Sequence, residues 1–349
     1  MFSPAAIREN RDVLCKCVDR MVDRLLMERD EKGKVDLLNL SRCLAVDAVS
    51  AHLFGRSYGG VGEKGEELSA SQFVNAFVAV GRFFYLPNWA FKWVEWSAEK
   101  LYPSKEVDES MAKVDEFVGG LVEGAGMEDN TYQSRMLKAG LSKAETAAQC
   151  MDLIFAGTDS SGMNLSTICW NLAQNPDQYA VLRKEVLEAK AKDPNVDTQT
   201  LPYLRAVVRE GLRVSMANPT RLPRIVPPSG WTFQGTYIPS RTIISCQIYT
   251  LHFNASTFPN PFSFAPERWL DSDSRVSADM QRDHIPFGIG TRQCIARNLA
   301  MAELSMAVQK FAEADALRGA NVVGNNIERL DWFNSKVEGE KVELTWLSS

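Results

Sequence analysis

Residues 287–297 read "FGIGTRQCIAR", and the run that follows, "NLAMAELSMAVQKFA", has the spacing of an amphipathic helix. This places Cys294 at the mouth of a helix. Free backbone N–H groups and the positive end of the helix dipole there favour a thiolate. Gly288 and Gly290 allow a tight turn and the close approach of a flat object. Arg292, two residues before the cysteine, is placed to pair with an anionic group. The competing reading is an inert cysteine capping a helix, the commoner fate of that residue.

The rest of the chain narrows the choice. It has 349 residues, 45% hydrophobic and 24% charged, with a net charge of −5. That composition suits a globular core and argues against nucleic-acid binding as the main activity. Its seven cysteines are odd in number and irregularly spaced, unlike a disulfide framework. His52, His252 and His284 are too scattered for a histidine zinc site. No signal peptide pattern opens the chain, and no run of about 18 apolar residues is seen. The nearest is Phe73–Trp96, interrupted by Arg82, Pro87, Asn88 and Lys92. It reads as two aromatic-rich amphipathic helices joined near Pro87, with core packing favoured over a membrane-facing or ligand-facing role.

The first two thirds is helical in pattern. Ser3 caps a helix with Pro4 in its first turn, and Ile7, Val13 or Leu14, Cys17 or Val18, Met21 and Leu25 follow at helical spacing. A second helix runs to Gly55, and another covers Met111–Val122 before a polar linker to Ser134. Ser142 and Glu145 form a capping box, and no proline follows until Pro176. That permits a helix of about 50 Å, long enough to run through the middle of the molecule. Pro176, with Asn175 as its cap, opens a shorter helix, and Pro202 opens another carrying "YLRAVVREGLRVS". After Arg213 the pattern turns to short strands around Gly230, Gly235 and Pro239, then an irregular stretch from Asn254 to Pro286, then the final helix and a strand-like tail. The expected class is mainly α with small β-sheets.

A thiolate, a close-approach loop and an anion partner suit haem, with the sulfur on iron and an arginine at a propionate. Phe287, Gly290, Arg292 and Cys294 stand at the spacing F-x-x-G-x-R-x-C and so resemble the haem-thiolate signature of the cytochrome P450 family, in a eukaryotic, fungal-like form. Ala296 stands where the family usually has glycine. Three further motifs occur in the family's order. "AGTDSS", Ala156–Ser161, resembles its oxygen-activation motif, with Ser160 in place of the common threonine and Asp159 as the acid. Ala156 and Ser160 share a helix face, and Gly157 is expected to loosen the helix there. "REGLR" supplies Glu210 and Arg213, and "FAPERW" supplies Arg268, which resemble the family's buried structural charge network. "RLPRIV" places Arg224 where an arginine reaches a propionate. Without the resemblance, Glu210 and Arg213 would read as a surface ion pair.

The resemblance implies a cytochrome P450 fold formed as one domain over residues 1–349, with the family's N-terminal part absent and the chain truncated. It implies haem b with Cys294 as the metal ligand, and Asp159 and Ser160 as proton-handling residues. Phe287, Gly290, Arg292, Ala296, Arg224 and Ala156 would surround the cofactor. The implied partners are O2, an apolar small molecule and NADPH-cytochrome P450 reductase. A full-length member would lie at the cytosolic face of the endoplasmic reticulum membrane, held by the anchor that is missing here. The expected reaction inserts one oxygen atom into the substrate. Two alternatives stand beside it: an inactive haem-binding fragment, in which the chain as written does not support catalysis, and a member that rearranges an oxygenated substrate without a reductase. The acid–alcohol pair argues against the latter. Candidate pocket residues, each as readily core, are Leu153, Phe155, Met216, Ala217, Asn218, Thr220, Phe77 and Phe84, with Asp152 one turn before Ala156.

Overall fold

The computed structural model describes residues 1–65, 68–81, 83–84, 86–101, 104–126, 128–270 and 277–346. Arg82 lies outside them. Among the described residues the helices are α1 (Pro4–Glu9), α2 (Arg11–Lys32), α3 (Leu37–Phe54), α4 (Ser69–Gly81), α5 (Asn88–Leu101), α6 (Lys105–Glu123), α7 (Tyr132–Lys138), α8 (Lys143–Gln174), α9 (Pro176–Lys192), α10 (Pro202–Ser215), α11 (Ile248–His252), α12 (Ala278–Asp283) and α13 (Arg297–Glu313). The strands are β1 (Lys34–Asp36), β2 (Arg224–Ile225), β3 (Trp231–Phe233), β4 (Thr236–Ile238), β5 (Ile243–Ile244), β6 (Ala320–Val322), β7 (Arg329–Asp331), β8 (Ser335–Val337) and β9 (Glu343–Trp346). They form one three-stranded sheet, ordered β1-β9-β6, and three two-stranded ladders, β2-β5, β3-β4 and β7-β8, all antiparallel. The chain is mainly α with small sheets, as its periodicity predicts.

The centre is α8. Its capping box is formed, with Ser142 accepting from Glu145 N–H and Glu145 returning to the Ser142 backbone. Its middle and C-terminal half are buried, and its most extensive neighbour is α3. Close approach is permitted by Gly162, where a Cβ would stand 3.0 Å from the Arg42 backbone of α3. Gly211 does the same for α10, where a Cβ would stand 2.1 Å from Ile168 Cγ1. One apolar cluster runs from Ile7 to Leu344 and draws on α1–α4, α6, α8–α10, α13 and both ends of the three-stranded sheet.

Several boundaries depart from the sequence reading. The first helix is two, because Asn10 leaves the helical region between α1 and α2. The helix expected from Met111 starts at Lys105, capped by Ser104. Ser134 lies inside α7 rather than at the end of a linker. Asn175 occupies the position before α9, but its amide donates back to Asn171 O, so it closes α8 instead of capping α9. The aromatic stretch divides: α4 buries Phe73, Val74 and Val78, whereas α5 leaves Trp89, Trp93 and Trp96 more than half exposed. Core packing therefore holds for α4 and fails for α5. The expectation of no membrane-length apolar run, with Phe73–Trp96 the nearest, is corrected by α3: among the described residues it is long and apolar enough to cross a membrane, and 94% of it is buried inside the fold.

Candidate haem-thiolate site

The cysteine loop is built from its glycines outward. Gly288 and Gly290 take φ of 71° and 76°, values that a side chain resists. A Cβ on Gly290 would meet nothing within 4 Å, so backbone strain and not crowding is what favours glycine here. The turn is closed by Gly288 N–H to Ile285 O (2.9 Å), Gln293 N–H to Gly290 O (3.0 Å) and Cys294 N–H to Phe287 O (2.9 Å). A single 3-10 turn covers Gly290–Arg292, and α13 begins at Arg297, three residues beyond the cysteine and not at it.

Cys294 is exposed, a state it shares with Cys246 and with none of the other five cysteines. The backbone N–H groups of Ala296 and Arg297 lie on the side of its sulfur and lower its pKa, as a helix mouth should, while Arg297 N–H donates to the Cys294 carbonyl (3.4 Å). Removal from water is the larger effect and raises the pKa overall. This corrects the expectation that the position alone makes a thiolate. The loop presents the sulfur and steers N–H groups to it, but full ionisation needs a cation such as iron beside it.

Around the loop, Phe287 is half-buried against the main core, and Ala296 is half-buried. Arg292 is exposed and has no ion pair among the described residues. Arg224, on β2, donates to Pro223 O (2.9 Å) and to Ile289 O (3.5 Å), which fastens the β2-β5 ladder to the loop. The side chains of Ile225, Ile243, Ile289 and Ile295 on these elements are 60–71% exposed.

Behind the loop lies the charge network, and here all three expected residues meet. Glu210 Oε1 accepts from Arg213 Nη2 (2.8 Å), Arg268 Nε (3.1 Å) and the Ala265 N–H (3.0 Å). Its Oε2 accepts from Arg213 Nε (3.0 Å) and Trp269 Nε1 (2.8 Å). Glu210 and Arg213 are fully buried, so the surface-pair reading fails. The remaining arginine donors go to carbonyls of His252, Pro261, Ser263 and Pro259. His252 then joins this network to the loop. Its Nε2 accepts from Ile285 N–H (3.0 Å), so its proton sits on Nδ1 and faces Arg213 O (3.2 Å). Burial pushes its pKa down to about 4, which keeps it neutral.

On α8, Ala156 is exposed and Ser160 half-buried, while Thr158 and Asp159 are buried. Ser160 Oγ donates to Ala156 O (3.2 Å) and Thr158 Oγ1 to Ile154 O (2.6 Å). The helix stays continuous through Gly157, so the expected loosening there is not seen; that glycine instead accommodates Val49 of α3. Asp159 is held on both oxygens. Oδ1 accepts from Arg42 Nε (3.1 Å) and Nη2 (2.8 Å), and Oδ2 accepts from Asn334 Nδ2 (2.8 Å). Neither partner was visible in the sequence, since they stand 117 and 175 positions away.

Of the candidate pocket residues, Phe77 stacks on Phe155 (5.1 Å) and meets Phe84 edge-on (5.9 Å). Phe84 in turn meets Phe333 of the β7-β8 turn (5.1 Å). Asn218 donates to Asn334 Oδ1 (2.8 Å). Met216 and Ala217 are buried, Leu153 and Thr220 half-buried and Asp152 exposed. Phe333 and Asn334 escaped the sequence reading because a short tail hairpin carries no local signal of what it faces.

Comparison with known proteins identifies the family. The sequence profile described as Cytochrome P450 matches residues 1–312. Cytochrome P450 monooxygenase mfmF of Annulohypoxylon moriforme is 34% identical over 372 aligned positions, covering 99% of this chain and 74% of that protein. Averantin hydroxylase of Dothistroma septosporum is 28% identical, covering 89% of this chain and 60% of that protein. Fusicoccadiene C-8 hydroxylase of Alternaria brassicicola is 34% identical over a shorter span, 54% of this chain and 36% of that protein. A profile match over most of the chain and a relative aligned along nearly all of it lead to one conclusion: the chain belongs to the cytochrome P450 monooxygenase family.

Proposed function

We propose that this protein, folded as one domain, is a haem-thiolate monooxygenase that inserts one oxygen atom of O2 into an apolar small molecule of secondary metabolism. The observation that carries the reading is Cys294, exposed at the end of a glycine turn that Cys294 N–H to Phe287 O (2.9 Å) closes. The residues present fit a haem. Exposed Ile225, Ile243, Ile289 and Ile295 offer apolar contact to a flat ring, and Arg292 and Arg224 offer cations to propionates. Protoporphyrin, haem b, has both features. Cys294 would ligate the iron, and Phe287, Gly290, Ala296 and Ala156 would surround the ring.

Haem bound through a thiolate supplies the O2 chemistry. The chain supplies the surroundings. Glu210, Arg213 and Arg268 fix the loop from behind through His252 and Ile285. Ser160 and, once one of its contacts is released, Asp159 handle protons. Phe77, Phe84, Phe155 and Phe333 form an apolar wall for the substrate. From the hydroxylases among its relatives we carry over the reaction type and not their substrates. NADPH-cytochrome P450 reductase as electron donor, and a location at the cytosolic face of the endoplasmic reticulum membrane, complete the proposal.

The test is spectroscopic. Reduced protein reconstituted with haem and treated with carbon monoxide should show the red-shifted Soret band of a thiolate ligand. Cys294→Ala should abolish it, and Cys246→Ala should leave it. A band that survives without Cys294 would refute the assignment.

A further inference from the structure

Asp159 as found is not free to handle protons, because both of its oxygens are engaged and it is 2% exposed. The Arg42 contact is charged and two-pronged. The Asn334 contact is a single bond from a neutral amide and is the one that yields first. Its orientation is fixed. Asn334 Oδ1 accepts from Asn218, and a carboxylate only accepts, so the amide nitrogen must face Asp159. Asn334 belongs to the turn between β7 and β8. A two-stranded ladder is marginal alone, so its position is set by anchors: Arg329 donates to the Val214 and Ser215 carbonyls, and Ser335 N–H to Ala217 O. The segment touches the acid by a second route. Arg42 Nη1 donates to Asn75 Oδ1 (2.7 Å), Asn75 donates to Glu340 Oε2 (2.8 Å), and Glu340 pairs with Lys336 of β8 (2.8 Å). Phe333, the residue before Asn334, is 38% exposed on the aromatic wall.

We propose that Asn334 is the positioning residue for Asp159: it latches Oδ2, and an apolar molecule pressing on Phe333 shifts the turn and opens the latch. Oδ2 then accepts a proton from a hydronium ion of the solvent, which is left as water, and is restored as carboxylate when that proton passes on toward the reaction site. This rests on the monooxygenase reading and adds to it the element that senses occupancy.

The latch can be tested without knowing the substrate. In the unloaded chain, Asn334→Ala should speed amide exchange across 329–337 by about three- to tenfold, the span of one net hydrogen bond. Unchanged exchange overturns the inference. In the haem-loaded protein, the reduced form is mixed with air-saturated buffer in H2O and in D2O. Opening the latch by Asn334→Ala should quicken reoxidation by about the same factor and shrink the D2O effect, with the carbon monoxide band intact. A rate equal to or below wild type overturns the inference while leaving the monooxygenase reading in place. A wild type without the thiolate band fails that reading, and the inference with it. Should Asn334→Ala not fold, Asn334→Leu, which keeps the side-chain shape and removes the donor to Asp159, must still quicken reoxidation, and an unchanged rate overturns the inference.

Discussion

Glu303, inside α13, is 4% exposed, and no hydrogen bond or ion pair reaches it among the described residues. Burial pushes its pKa from 4.5 up to about 8. The folded chain therefore keeps this proton where the unfolded chain has lost it. Its contribution to stability is complete below pH 4.5, falls as pH rises toward about 8 and is flat beyond. The span amounts to a few kcal/mol, roughly. Glu303→Gln keeps the shape and removes the titration, so its melting temperature should pull ahead of wild type as pH rises from 5 to 8. Parallel curves for the two proteins would show that Glu303 finds a partner when ionised. At this scale the sequence was readable where spacing is local: the four residues of F-x-x-G-x-R-x-C and the Glu210–Arg213 pair. It was silent on Glu303, because a carboxylate at a helix position looks the same whether it faces water or the core. It was equally silent on Arg42 and Asn334, whose partner Asp159 lies more than a hundred positions away.

Among elements, the α8–α10 contact tests whether packing or propensity decides. Gly211 sits inside α10, where alanine would favour the helix by about 1 kcal/mol. Yet its Cβ would meet Ile168 Cγ1 at 2.1 Å and Cδ1 at 2.9 Å. Overpacking of a filled interior costs about 1–3 kcal/mol, and α10 cannot back away because Glu210 and Arg213 pin it to the segment behind the cysteine loop. Gly211→Ala should therefore lower the melting temperature. Ile168→Ala alone should cost about 2–5 kcal/mol, and the double variant should cost clearly less than the sum, since the new methyl occupies the space that Ile168 leaves. Additive losses would mean that the helices slide apart instead. The helices themselves were legible because their causes are local: the Ser142–Glu145 box, Pro4, Pro176 and Pro202 in first turns, and apolar residues at helical spacing. Errors gathered where neighbours decide, as at Asn175, whose amide turns back to Asn171, and at α5, whose tryptophans have the spacing of a core face and meet none.

Across the whole molecule, the near-N-terminal and C-terminal segments are joined by one strand. β9 lies between β1 and β6, pairing Val35 with Leu344 on one side and Val322 with the same residue on the other. Leu344 is fully buried in the main core, and Leu37 N–H closes on Val342 O at 2.7 Å, where α3 begins. The strand therefore secures the start of the helix that carries Arg42, which in turn holds Asp159 on α8. Its pairing with β1 spans more than three hundred positions, so local sequence offers no sign of it beyond a strand-like tail. Removing the centre of a three-stranded sheet leaves β1 and β6 without partners and their backbone groups unsatisfied. A chain ending at Val342 should thus be cleaved readily by trypsin at Lys32 and Lys34, sites that the intact sheet protects. Leu344→Ala keeps the backbone ladder and removes only the buried side chain, at a cost of about 2–5 kcal/mol, and should leave that cleavage slow. Rapid cleavage in both variants would place the support in the Leu344 side chain, and slow cleavage in both would show that β1 is held by α2 and α3 without β9.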